Sequence, residues 1–401
     1  MLRKPYMRIP YTDVLAPPTV TPKSATTIAG AVSALSEFFT APTSRGNPAS
    51  TLVLTGAGVS VASGLADYRG TNGTYRVNKT YRPIYYSEFI QNHEARKRYW
   101  ARSFLGWTTL HKAKPNAGHY AVKQLGDLGF VQQVITQNVD SFHSIAHPNI
   151  STIELHGYLR ALVCVSCRHE LPRDVFQDEL ARLNPAWAAF LQEIIATGAL
   201  DTENPQERTK RGMRTNPDGD VDVPDAPYTT FRYPACPRCL AHPPAKVEGG
   251  KSTVEVDADG AWKPTSNAGI LKPAVVMFGE SIPTQIKTEA DHAVESADKL
   301  LVLGTSLATY SAWRLAKRAK DRGIPVGIVN LGGVRGEEAL CADLDPLQNG
   351  TRGFRVEMST DLLLPEVVKE LKQSSDFHHA HESIHHKVED HGASVFKDMM
   401  S

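Results

Sequence analysis

The chain has 401 residues, 44 of them basic and 43 acidic, for a net charge of +1. That balance excludes a dedicated nucleic-acid binder, whose basic excess would be visible, and no apolar run is long enough to span a bilayer. Five cysteines at this length exclude a disulfide framework. In chain order, the first ten residues carry Arg3, Lys4 and Arg8 and no acid, which suits either a short mitochondrial transit peptide or a solvated start. Residues 1–25 are therefore set apart as an N-terminal extension. Residues 26–40 place Ile28, Val32, Leu35, Phe38 and Phe39 at helical spacing. Thr51–Thr55 is a short apolar strand running into Gly56-Ala57-Gly58. A helix is predicted over Asn116–Leu128 and a strand over Val131–Thr136. Residues 201–230 are polar and without periodicity and read as an inserted loop, and 241–269 are weakly patterned. Buried-type strands follow at Ala274–Phe278, Leu300–Leu303 and Val326–Val329, with a helix over Ser306–Arg322. The tail, 373–401, holds six of the fifteen histidines but no fixed ligand spacing, and reads as solvated.

Strands alternating with helices predict an α/β fold, with a doubly wound, mostly parallel, Rossmann-like sheet. The predicted partition gives residues 26–76, 116–160 and 271–372 to that domain. Residues 77–115 and 161–270 form a smaller, inserted metal-binding domain. The inserted part carries Cys164-Val165-Ser166-Cys167 and Cys236-Pro237-Arg238-Cys239. Two such pairs can present four thiolates to one ion, a closed tetrahedral set that suits a single structural Zn²⁺. Two redox dithiols are the competing reading.

Thr55-Gly56-Ala57-Gly58-Val59-Ser60 lets backbone N–H groups approach a pyrophosphate. It departs from a dehydrogenase fingerprint, because Asn78-Lys79-Thr80 stands where a strand ending in an acid is expected. The nearer acid is Asp67, in Asp67-Tyr68-Arg69-Gly70, where Arg69 either meets a phosphate or is an ordinary surface arginine. Gly304-Thr305-Ser306 is a second glycine turn, with a plain helix N-cap as its bland alternative. Gln137, Asn138 and Asp140 follow a strand and suit ribose and carboxamide recognition, or an Asx turn. Asn330 ends the next strand, where a ribose could be bonded. His156, in Leu155-His156-Gly157, is a candidate general base.

Taken in order, Gly56–Ser60, Gly64–Arg69, Thr136–Asp140, Leu155–Gly157, the two cysteine pairs, Met277-Phe278-Gly279-Glu280, Gly304–Ser306 and Asn330 resemble the sirtuin family over roughly residues 26–372. The segment Pro172–Trp187 is most similar to the class II, mitochondrial type. The resemblance implies an NAD-dependent protein-lysine deacylase acting on acyl-lysine proteins, with the mitochondrial matrix as the favoured location and the cytoplasm or nucleus as alternatives. It implies that NAD is held by Gly56, Ala57, Gly58, Ser60, Asp67, Tyr68, Arg69, Tyr75, Gln137, Asn138, Asp140, Gly304, Thr305, Ser306, Asn330 and Thr360. His156 and Asn138 would be catalytic, and Phe278, Gly279 and Glu280 would meet the substrate peptide, added as a strand. In the implied reaction the acyl oxygen attacks C1′ of the ribose and nicotinamide leaves. His156 then activates a ribose hydroxyl to attack the imidate carbon, and water finishes the reaction, giving free lysine and O-acyl-ADP-ribose.

There are departures. Ala66 replaces the family's usual proline, and the insertion between the cysteine pairs is long. No convincing Tyr-x-x-Arg reader of an acyl carboxylate is apparent, so a succinyl preference is not expected. Lipoamide cleavage and mono-ADP-ribosyl transfer stay open as variants. A zinc-bearing NAD-binding module without catalysis and a nicotinamide dehydrogenase are the alternatives from other classes.

Overall fold

A computed structural model describes residues 15–43, 50–77, 81–198, 213–215, 219–245 and 252–374. The histidine-rich tail and Asn78-Lys79-Thr80 lie outside these, apart from residues 373 and 374. Eleven strands are present among them: β1 Thr51–Thr55, β2 Val131–Thr136, β3 Ser151–Glu154, β4 Gly157–Cys164, β5 Glu170–Pro172, β6 Arg214–Thr215, β7 Val221–Asp222, β8 Leu271–Val275, β9 Lys299–Leu303, β10 Val326–Val329 and β11 Gly353–Val356.

Six of them form one parallel sheet in the order β11-β10-β9-β1-β2-β3. All residues of β1 and β9 are buried, as expected of central parallel strands covered on both faces. Val53, Val134 and Leu301 point to one core, under helices Ile28–Thr40 and Ala117–Asp127 and the helix at 360–374. Leu52, Leu54, Ile135 and Val302 point to the other, under helices Thr284–Ser296 and Tyr310–Asp321. From β1 the chain winds outward through β2 and β3, then returns to lay β9, β10 and β11 on the opposite side. The reversal falls between β1 and β9, where such sheets open a crevice at the carboxyl ends of their strands.

The antiparallel sheet β5-β4-β8 ties the large sheet to a third core, that of the small domain. That core gathers Phe89, Trp100, Phe104, Phe176, Trp187, Phe231 and Trp262. It is built on helices Tyr86–Gln91, His93–Lys112, Arg173–Leu183 and Pro185–Ala196. No helix among the described residues is long and apolar enough to cross a membrane.

Four expectations need correction. The apolar run Ala274–Phe278 is not a strand of the parallel sheet: the strand is Leu271–Val275, and its pairing with Cys164–Gly157 assigns it to the small sheet. The predicted edge at 160 falls inside β4 and the one at 271 at the start of β8, the two paired strands that join the parts. The helix expected from Ser306 starts at Tyr310, because Gly304 and Leu307 hold positive φ values of 54° and 51°. The insertion is not structureless over its described part. Met213, Val221 and Phe231 sit in the core of the small domain, and β6 and β7 pair antiparallel. Residues 21–25 of the extension belong to the folded body, since Thr21 exchanges backbone hydrogen bonds of 2.9 and 2.7 Å with Arg355.

Candidate active site

The crevice at the strand reversal is a cavity of about 2050 Å³. That is larger than the few hundred to roughly 1,000 Å³ typical of small-molecule sites, and leaves room for a dinucleotide beside a peptide side chain. Two glycine loops meet at its floor. Gly56 N–H donates to the Leu303 carbonyl at 3.2 Å and Gly58 N–H to the Gly304 carbonyl at 2.8 Å. A Cβ on Gly58 would lie 2.7 Å from that carbonyl oxygen, so the loops close only without side chains there. The turn opens a short 3-10 helix, Ala57–Ser63, rather than the α-helix of a dehydrogenase.

All the predicted dinucleotide residues line this one cavity. Their roles divide. Gln137 is spent on the frame: its Nε2 donates to the Thr55 carbonyl at 3.1 Å and to Thr305 Oγ1 at 2.9 Å, while its Oε1 accepts from Thr309 Oγ1 at 2.9 Å. Asn330 Nδ2 shapes its own turn by donating to the Leu331 and Gly332 carbonyls. Asp67 Oδ1 accepts from Gly70 N–H, and burial raises its carboxyl above the ordinary range. Arg69 is stacked on Tyr75 at 5.0 Å, and Tyr75 on Tyr68. Ser60 Oγ donates to Asp140 Oδ2 at 2.7 Å and accepts from Asn138 Nδ2 at 3.0 Å. Burial also raises Asp140. Together these hydrogen bonds give the cavity preset polar positions.

His156 closes the crevice from the β3–β4 turn. Its Nδ1–H donates to the Gln137 carbonyl at 3.1 Å, leaving Nε2 as the lone-pair nitrogen, 2.9 Å from Ser311 Oγ. The ring keeps an edge on the cavity and is otherwise surrounded by protein, which pushes its pKa down to about 4. It is thus a neutral imidazole at pH 7, with a fixed tautomer and a basic nitrogen facing the pocket.

Phe278, Gly279 and Glu280 also border the cavity, but as a turn beyond β8. The Phe278 carbonyl accepts from Tyr86 N–H, and Glu280 pairs with Lys272 at 3.1 Å. Several wall residues were not singled out in the sequence. Ser311 and Thr309 are among them. So are Tyr99 and Arg102, which are a Tyr-x-x-Arg pair: that spacing was present in Tyr99-Trp100-Ala101-Arg102 and was missed. Both face the cavity, with Arg102 bonded to Asp220 at 2.8 Å.

Away from the crevice, Cys164, Cys167, Cys236 and Cys239 bring their sulfurs within 4.8 Å of one another. Cys164 and Cys239 are 3.5 Å apart, and Cys167 and Cys236 3.7 Å. Four sulfurs about 2.3 Å from one tetrahedral Zn²⁺ stand roughly 3.8 Å apart, close to the spacing of this set, so the four thiols fit that ion. Arg168, at φ 59°, turns the first knuckle, and its N–H donates to the Cys164 carbonyl. Behind the second, the Gly269 carbonyl accepts from Cys236 N–H.

The model of the Sir2 family matches residues 56–311. The chain is 39% identical to the NAD-dependent protein deacylase SIR4 of Batrachochytrium dendrobatidis over 72% of this chain and 83% of that protein. It is 35% identical to the NAD-dependent protein deacylase SRT2 of Arabidopsis thaliana, over 75% and 69%. It is 31% identical to the mitochondrial NAD-dependent protein lipoamidase sirtuin-4 of Bos taurus, over 73% and 78%. Among solved structures, a mutant Sir2 homologue in complex with ADP-ribose superposes with a TM-score of 0.52. It is 21% identical and covers 85% of this chain and 97% of that one, a likeness of fold.

Proposed function

The chain belongs to the Sir2 family, and from that premise we propose that it is an NAD-dependent protein-lysine deacylase whose general base is His156. The observation that carries this reading is the His156 ring. A neutral imidazole, tautomer fixed by the Gln137 carbonyl, turns its free nitrogen toward a crevice floored by two glycine loops. Relatives named as NAD-dependent protein deacylases support the reaction class.

The dinucleotide supplies the ribose carbon that accepts the acyl oxygen. Everything else is done by the chain. Gly56, Gly58 and Gly304 bring backbone close to the pyrophosphate; Ser306, Asn330 and Thr360 border the other ribose. Arg69, Tyr68 and Tyr75 cover the phosphates, with Asp67 holding the turn beneath them. Asn138 and Asp140, linked through Ser60, orient the nicotinamide end and the reacting ribose. His156 Nε2 takes the proton from a ribose hydroxyl, which then attacks the acyl carbon; the lysine amine leaves with a proton, and a water adds to the same carbon to give O-acyl-ADP-ribose. General-base help of this kind is worth about 10²–10⁴ in rate. The four cysteines hold one structural Zn²⁺, with no open position for chemistry.

The acyl-lysine enters beside Phe278–Glu280. The name of the cow relative, a lipoamidase, supports an uncharged, extended acyl group as substrate. The same name, with the basic residues Arg3, Lys4 and Arg8, supports a mitochondrial location. The test is a panel of acyl-lysine peptides (acetyl, lipoyl, succinyl) with nicotinamide release as readout. Acyl-dependent release supports the reading; acyl-independent labelling of protein by ADP-ribose would replace it with ADP-ribosyl transfer.

A further inference from the structure

The first glycine turn lacks the strand-end acid that a dehydrogenase sets against a ribose. The other half of the sheet supplies one. Glu357 follows β11 directly, and the pairing of Val329 with Val356 sets it across from Asn330, at the carboxyl ends of neighbouring strands. Both border the cavity. The turn after Asn330 is held from two sides. From behind, the fully buried Arg355 guanidinium donates to the Asn330 carbonyl at 3.0 Å and to the Gly332 carbonyl at 2.6 Å. Glu337, 3.1 Å from its Nε, answers that charge. From the front, Gly332 N–H donates to Glu357 Oε1 at 3.1 Å. Gly332 holds φ 78°, a conformation that favours glycine. Asn330 spends its Nδ2 on the Leu331 and Gly332 carbonyls. Two acceptors are thus left at this end of the crevice, the second Glu357 oxygen and Asn330 Oδ1, for the two hydroxyls of a ribose. Arg335, a cation on the same wall, is stacked on Trp313 at 4.4 Å and donates to the Ala308 carbonyl at 3.4 Å.

We propose that Glu357 reads the adenosine ribose of the dinucleotide: its carboxylate accepts from the 2′-hydroxyl and turns away a cofactor that carries a phosphate there. The proposal rests on the deacylase reading above, and deepens it by naming the residue that selects NAD over NADP. A hydroxyl bonds more strongly to a carboxylate than to a neutral acceptor. A phosphate in the same place would set two anions against each other, which costs more than a missing hydrogen bond. The backbone N–H of Gly332 fixes the carboxylate in advance, so the ribose does not have to order it on binding.

The experiment uses the full-length, zinc-loaded protein and three dinucleotides that differ only at the adenosine 2′ position: NAD with its hydroxyl, the 2′-deoxyadenosine analogue of NAD, and NADP with its phosphate. Calorimetric titration gives Kd for each. The wild type is expected to bind the deoxy analogue about tenfold more weakly than NAD, the effect of one hydrogen bond to a charged group. It should bind NADP at least about 100-fold more weakly. Glu357→Ala is expected to bring NAD and the deoxy analogue within about twofold of each other and to recover about tenfold of the NADP loss. Glu357→Gln keeps an acceptor and removes the charge. It should recover NADP by a similar factor while still telling NAD from the analogue. A wild type that binds NADP as tightly as NAD, or ratios that stay the same in both variants, overturns the proposal. If Glu357→Ala does not fold, the wild-type and Glu357→Gln ratios decide. If no dinucleotide binds, the deacylase reading fails and takes the proposal with it. Tight binding of NAD with unmoved ratios sinks the proposal only.

Discussion

His156 Nε2 and Ser311 Oγ lie 2.9 Å apart, so the nitrogen assigned to take the ribose proton has a hydroxyl partner on the cavity wall in the ligand-free protein. The nitrogen that faces inward is anchored by backbone, the one that faces the cavity by a side chain that can rotate away. His156→Ala should therefore lower kcat/KM by about 10²–10⁴ while leaving dinucleotide affinity nearly intact. Ser311→Ala should cost far less, since it removes a partner and not the base. Steady-state rates with calorimetric NAD titration check both.

The four-cysteine cluster makes a second demand. Cys239 is fully buried among thiols, and burial pushes both it and Cys236 toward the protonated form, Cys236 to about 11. A cation is needed to hold four thiolates there. One zinc per chain is expected by atomic absorption, and either strong chelation or Cys239→Ala should melt the small module, since binding energy at such a site is also folding energy. Loss of helical circular dichroism in step with zinc release is the readout.

At the floor of the crevice, Gly58→Ala places a methyl 2.7 Å from the Gly304 carbonyl oxygen. The loops must part, at a cost of about 1–3 kcal/mol in stability, and KM for NAD should rise more than KM for the acyl peptide. Equal changes in both would show that the two loops do not form the dinucleotide floor.

Stability should fall on acidification. Burial lowers His119 and His156 to about 4, and lowers His143 and His147 as well. In the unfolded chain histidine takes a proton near 6.5, whereas His119 and His156 stay neutral in the fold until about pH 4. The stability is therefore complete above about pH 6.5 and lost as pH falls toward about 4. Between about pH 6.5 and 5.5, His119 and His156 should each withdraw about 1 kcal/mol. Urea midpoints across that range measure it, and a flat profile contradicts it.

The N-terminal strap borders the crevice proposed to hold the nucleotide. Leu15, Pro17 and Pro18 border the cavity, and a Cβ on Gly333 would overlap the Ala16 carbonyl. Removing residues 1–18 should raise KM for NAD several-fold while leaving the folded body, held at Thr21 by Arg355, intact. An unchanged KM would show that the strap is not part of the NAD wall.

What the sequence made legible was local. The Thr51–Thr55 strand with its glycine turn, and the paired cysteines, carry their meaning within a few residues, so short-range sterics and ligand spacing suffice. Ser311 next to His156 and Asp220 next to Arg102 were not legible, because each contact joins segments brought together only by the sheet reversal and the insertion. Leu271–Val275 was misplaced for the same reason. Its apolar character marks a strand, but its register is set by β4, far away in the chain. Gly106 gave no signal at all, since its reason is the Gly219 carbonyl across from it.

The central claim is that this crevice breaks the glycosidic bond of NAD in step with lysine deacylation, with His156 as the base. The most direct test is mass spectrometry of the products from zinc-loaded wild type, NAD and a lipoyl-lysine peptide. Nicotinamide, free lysine peptide and O-lipoyl-ADP-ribose should form in equal amounts, and His156→Ala should all but stop them. Formation of NADH, or products undiminished in His156→Ala, would contradict it.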